Sequence, residues 1–303
     1  MIIKYSEYKI YNNYLKINLD PYFNNLDTKY LQIFNYLNDK PILDTNIKNI
    51  DYSNEKYNLN LFFQDNLKKK LILLFIGVGS FQIDRYLITL INHLTKNYSV
   101  LALSQKDNPK YFHLLGCYEY LEEINQLKIF KKFQEIFIIS YSGGSGNLYH
   151  IIKNKLWLDK IKGVFAISII IKPYWINSGI FARLKFYQSL EKKLNIQENF
   201  NKNFYGDITL MYNFLLEKYH QTNYQQIINN YHHFWENNND LSFPIIILLS
   251  KDDDFFELDN NDIKYIKNNL MLIHTNKGYH CCFYKNGNLS YLPFIDRLLN
   301  KYF

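Results

Sequence analysis

"EIFIISYSGGSGNL" (residues 135–148) is an apolar run that breaks into serines and glycines and then turns apolar again. The chain has only 11 glycines in 303 residues, yet three of them stand at 143, 144 and 146. The apolar part has strand length, and residues 144–157 carry apolar side chains at helical spacing, so the break is a strand-to-helix turn. In such a turn, side chains two before and two after the central residue would meet the neighbouring strand and helix. Ser140-Tyr141-Ser142-Gly143-Gly144 supplies small residues at both places. Its centre, Ser142, is expected to be exposed on a backbone close to strained, at a helix N-terminus where N–H groups favour developing negative charge. The other register, Gly143-x-Ser145-x-Asn147, puts the serine inside the helix and Asn where a small residue is wanted. The competing reading of Ser142 is a helix N-cap in a glycine turn.

Working outward, short apolar runs recur at 57–63, 70–79, 98–104, 135–142, 162–171, 243–250 and 270–275. Most are continuously apolar, as strands buried on both faces are. Helical patterns fall at 81–96, 117–133, 144–157, 259–269 and 289–301. Strand and helix in alternation predict an α/β fold, a doubly wound and mostly parallel sheet with right-handed crossovers. Residues 172–241 break the rhythm with aromatic-rich helical patterns and are expected to form a helical cap inserted over one end of the sheet. Residues 1–45 are set apart as an N-terminal extension with a helix at "LDTKYLQIFNYL" (26–37), and 46–303 as the main domain.

A serine nucleophile needs a base, and the base needs an acid to hold its ring. Past the strand at 243–250 come Asp252, Asp253 and Asp254, and past the strand at 270–275 comes His280. Groups at the carboxyl ends of the strands of an open α/β sheet face its ligand crevice. Three acids in a row also suit a solvated turn, and a lone histidine a structural role. "FIGVGSF" (75–81) is a glycine-rich turn after the strand expected beside the serine strand, and the N–H groups of Val78 and Gly143 are the expected oxyanion hole. A dinucleotide turn is disfavoured, because Gln82 occupies the third glycine position and no acid ends the next strand. A nucleotide P-loop is excluded by the absence of Gly-Lys-Ser/Thr.

Over residues 47–303 the chain resembles the α/β-hydrolase superfamily, and more narrowly its YheT-like branch of monoacyl esterases and lipases. The resemblance rests on "IGVGS" (76–80), "SYSGG" (140–144), "LLSKDDDFF" (248–256) and "HTNKGYHCCF" (274–283). It implies a helical cap on an α/β-hydrolase fold, with Asp253 and His280 joining Ser142 in a catalytic triad and Phe283 completing the histidine motif. Ile76, Ser140, Asp254 and Tyr279 depart from the branch's usual His, Gly, Pro and Gly.

The expected activity is a serine hydrolase cleaving a carboxylic ester, of a lipid or another acyl compound, with Tyr141, Trp175 and Phe214 as substrate-binding residues. A catalytically silent relative that binds a lipid or protein, and a thioesterase or peptidase with the same triad, are the alternatives. No metal and no organic cofactor is expected. His232 and His233 are adjacent on a helical pattern and cannot both face one ion. Cys281 is expected to pack in the interior, not to act as a nucleophile. The formal charge of +7 comes from scattered lysines, the longest run being 68–70, so no nucleic-acid partner is expected. Three cysteines, two of them adjacent, suit a reducing compartment. Without a signal-peptide pattern or a run long enough to cross a bilayer, the expectation is a soluble, cytoplasmic protein with at most peripheral lipid contact.

Overall fold

The computed structural model describes residues 2–4, 7–11, 18–28, 41–77, 85–106, 108–111, 113, 116–169, 213, 216–220, 226, 229, 241–253, 269–278, 280–281 and 283–303. All but the last residue of the expected helix at 259–269, most of the one at 26–37 and nearly all of the expected cap lie outside these residues. In chain order the elements are β1 (Ile2–Lys4), β2 (Tyr8–Tyr11), α1 (Asp20–Phe23), β3 (Ile47–Asp51), β4 (Tyr57–Gln64), β5 (Lys70–Phe75), α2 (Arg85–Leu94) and β6 (Ser99–Gln105). They continue with α3 (Tyr118–Gln126), β7 (Glu135–Tyr141), α4 (Gly146–Lys153), β8 (Ile161–Ile167), β9 (Ile245–Ser250), β10 (Leu270–Thr275), β11 (Tyr284–Lys285), β12 (Asn288–Leu289) and α5 (Leu292–Tyr302).

Ten strands form one sheet in the order β1-β2-β10-β9-β8-β7-β5-β6-β4-β3. From β6 to β10 every pairing is parallel. The antiparallel hairpins β3-β4 and β1-β2 close the two edges. The alternation of side chains explains why the central strands are apolar along most of their length. On β5, Leu71, Leu73 and Phe75 enter one layer, shared with Leu121 and Ile124 of α3 and Leu148, Ile151 and Ile152 of α4. Ile72 and Leu74 enter the other, with Leu87, Leu90, Ile91 and Leu94 of α2 and Phe294, Ile295, Leu298 and Leu299 of α5. Each helix thus presents a stripe at three- and four-residue spacing to one face of the sheet. Burying both faces of β5 leaves its carboxyl end as the natural opening.

Residues set apart as an N-terminal extension are built into the same body. β2 pairs with β10, Tyr11 lying opposite Leu272. The Asp27 carboxylate accepts the Asn286 and Gly287 N–H groups (3.0 and 3.1 Å) at the tip of the β11-β12 hairpin. Phe23 is fully buried, its ring 5.4 Å from that of Phe294. Among the described residues, no helix is long and apolar enough to cross a membrane.

Candidate active site

β7 ends at Tyr141, and the chain turns through one 3₁₀ segment, Ser142–Ser145, into α4. Ser142 has φ +47°, a left-handed conformation that a side chain makes unfavourable by about 1–2 kcal/mol. The surroundings have to hold this conformation, and the hydroxyl serves as no N-cap: its partner is His280 Nε2. The glycine two residues later has a steric cause. A Cβ on Gly144 would stand 2.7 Å from the carbonyl oxygens of Phe75 and Ile76, so the helix start could not approach the end of β5. Gly77 approaches from the other side, where a Cβ would lie 3.1 Å from that of Ser142. Asn147 ties the turn down: its side chain donates to Gly144 O (3.2 Å) and accepts from Cys117 N–H (3.3 Å). The Ser145 hydroxyl donates to Ser142 O (2.6 Å), which gives the second serine a structural partner.

Ser140, at the position two before the centre, is fully buried, and its Oγ has no hydrogen-bond partner among the described residues. It fits because its lateral neighbour on β8 is Ala166. An unmatched buried hydroxyl costs on the order of 1–3 kcal/mol. Ser140→Ala should therefore raise the unfolding free energy by about 1 kcal/mol in urea titration. A loss of stability would mean that the hydroxyl is satisfied.

Ser142, Asp253 and His280, expected from three separate loops, are brought together. His280 Nε2 lies 2.8 Å from Ser142 Oγ. Nδ1 lies 2.9 and 3.1 Å from the Asp253 carboxylate oxygens. A carboxylate only accepts, so Nδ1 carries the proton and the neutral ring's Nε2 accepts from the serine hydroxyl. The Asp253 side chain is 2% exposed and that of His280 18%. Burial, the largest single influence on the ring, disfavours its charge. The Asp253 carboxylate and then Cys281 outweigh it and hold the His280 pKa well above the ordinary imidazole value. Of the neighbouring acids, Asp252 accepts the Ser250 hydroxyl, and Asp254 lies outside the described residues.

Gly143 is buried immediately after Ser142. Its expected oxyanion partner Val78 lies outside the described residues, as do Trp175, Phe214, His232 and His233. Tyr141 corrects an expectation. As a substrate-binding residue it should face the crevice, but alternation along β7 turns it into the layer below, fully buried, its hydroxyl 3.2 Å from that of Tyr291. Cys281 is 4% exposed. Among the described residues no group of three or more His, Cys, Asp or Glu is arranged to hold a metal ion. Sequence reasoning passed over Asn147 as a tether and Ser168 altogether. Asn147 stands in the quoted stretch 135–148, and nothing local marks Ser168.

No protein-family model matches the chain, and no curated protein does. Solved structures do match. A fungal esterase from Rhizomucor miehei aligns with 13% identity over 88% of this chain and 85% of its own, with a TM-score of 0.54. Carboxylesterase CesB of Bacillus subtilis aligns with 9% identity over 90% and 96%, TM-score 0.50. The 2-hydroxy-6-oxo-6-phenylhexa-2,4-dienoate hydrolase of Rhodococcus sp. strain RHA1 aligns with 13% identity over 84% and 99%, TM-score 0.50. With its parallel sheet, its strand-end serine turn and these likenesses, the chain adopts the α/β-hydrolase fold.

Proposed function

We propose that the chain is a serine hydrolase that cleaves a carboxylic ester through an acyl-enzyme on Ser142. The observation that carries the reading is the unbroken hydrogen-bonded row from Asp253 through His280 to Ser142, at 2.9 and 2.8 Å. In this reading Ser142 Oγ attacks the carbonyl carbon while His280 Nε2 takes its proton, and Asp253 holds the ring's tautomer and steadies the imidazolium. The carbonyl oxygen becomes an oxyanion, received by the N–H groups of Gly143 and Val78. Collapse of the adduct expels the alcohol, which takes the proton from Nε2. Water, activated by the same nitrogen, then attacks the acyl carbon and frees Ser142. The names of two of the fold relatives, both esterases, favour an ester. The motif resemblance to the YheT-like branch, together with the aromatic residues of 172–241 including Trp175 and Phe214, favours an acyl chain as the apolar part of the substrate.

A fluorophosphonate tests this, because an ordinary serine does not react with it. One adduct is expected, on the peptide containing Ser142, absent in Ser142→Ala and retained in Ser145→Ala. Folded wild-type protein that takes no label beside a reactive control hydrolase would replace the reading with a silent binder.

The electrostatics add a pH dependence. The base must be neutral to accept a proton, so kcat/KM should climb as pH rises through the elevated His280 pKa. The acid limb should thus lie above about 6.5, the ordinary imidazole value. The stabilisation that the same shift gives the fold has the opposite sense: it is complete below about 6.5 and fades as pH rises through the folded-state value. Initial rates against pH check the first statement, and a limb at or below the ordinary value would refute it.

A further inference from the structure

β8 lies between the strand that leads into Ser142 and the strand that precedes Asp253, and the reaction assigns it no side chain. The residue after it, Ser168, is fully buried and has φ +50°. Its N–H donates to Leu248 O (2.8 Å), which fixes it to β9. Its Oγ accepts the N–H of Cys281 at 3.0 Å. Cys281 is itself left-handed, with φ +62°. Two non-glycine residues in this region, bonded to each other, are a costly arrangement that persists only where the surroundings impose it.

The peptide held in this way is the one that follows His280. Thr275 holds the start of the same loop, its hydroxyl 2.6 Å from Lys277 O. At Gly278 the Phe283 ring packs so closely that a Cβ would lie 2.2 Å from it. His280 therefore stands between two fixed points, and the direction of its Cα–Cβ bond is set before either ring nitrogen finds its partner.

We propose that Ser168 is a positioning residue for the imidazole: its hydroxyl fixes the Cys281 peptide and so aims His280 at Ser142. For its effect on rate this rests on the serine hydrolase reading; for its effect on the ring it does not.

Ser168→Gly removes the hydroxyl while suiting the left-handed backbone, and Ser168→Ala removes it while keeping Cβ. With either variant, phosphonate labelling should slow by about 10- to 100-fold through misplacement of the base. The Tm of Ser168→Gly should match that of wild type, and kcat should fall more than KM rises. The low-field proton signal of His280 Nδ1–H, identified by its loss in His280→Ala, should broaden or shift. Labelling at the wild-type rate, or an unchanged signal, overturns the proposal. If wild type takes no label, the hydrolase reading has failed, and the Nδ1–H signal alone decides the positioning role by the same criterion. Should neither variant fold, amide exchange in the wild type decides: Cys281 N–H protected like the strands supports the clamp, and exchange at the rate of an open loop overturns it.

Discussion

Ser142→Ala should reduce ester turnover by on the order of 10⁶, His280→Ala by about as much, and the double variant by no more than either alone. The reason lies in the 2.8 Å contact between the two. A serine hydroxyl without its base is a poor nucleophile, and a base without the hydroxyl has no proton to take, so removing one disables both. Independent contributions would multiply, and the double variant would then lose far more. Residual turnover of about 10³–10⁴ over the uncatalysed reaction should survive in all three, supplied by substrate binding and the oxyanion donors. Steady-state rates on a soluble ester, with folding checked by circular dichroism, measure this. Additive losses, or a Ser142→Ala variant within tenfold of wild type, would remove these residues from the reaction.

Asp253→Asn should lower turnover by roughly 10⁴ while leaving the fold intact. An amide offers His280 Nδ1 a donor as readily as an acceptor, so the proton can move to Nε2, which then points a hydrogen at Ser142 instead of a lone pair. The carboxylate's support for the imidazolium is lost as well, so the acid limb of the remaining activity should move to lower pH. Asp252→Asn should cost much less, since that side chain serves the Ser250 hydroxyl. Equal losses at 252 and 253 would show that the acid has been assigned to the wrong residue.

Much of this arrangement can be read in the sequence, for a physical reason. Strands such as β5 and β9 are buried on both faces, so nearly every position is apolar and the run stands out against any helix of ordinary amphipathicity. Ser142, Asp253 and His280 lie just beyond three such runs, and parallel strands bring their carboxyl ends to one side without further information. The choice among Asp252, Asp253 and Asp254 needed the resemblance, because adjacent acids differ in direction and not in chemistry. Tyr141 was misplaced by proximity along the chain: its neighbour faces the crevice, but in a strand adjacent side chains face opposite layers. The partner of Ser168 is more than a hundred residues away and is reached through a backbone conformation that no residue type announces. β1 is a short edge strand and β2 its short neighbour, and neither carries the continuous apolar run that marks the centre of the sheet.

The pairing of β2 with β10 also sets an order of events during synthesis. Residues 8–11 leave the ribosome well before their hydrogen-bonding partners, residues 272–275. Until then the N-terminal hairpin has no sheet to join, and the β3–β9 body must organise without it. Loop closure between residues so far apart is slow compared with the local hairpins and crossovers that assemble the middle. The strand next to the histidine loop is thus sealed at its outer edge by a segment synthesised long before it, in a late step of folding.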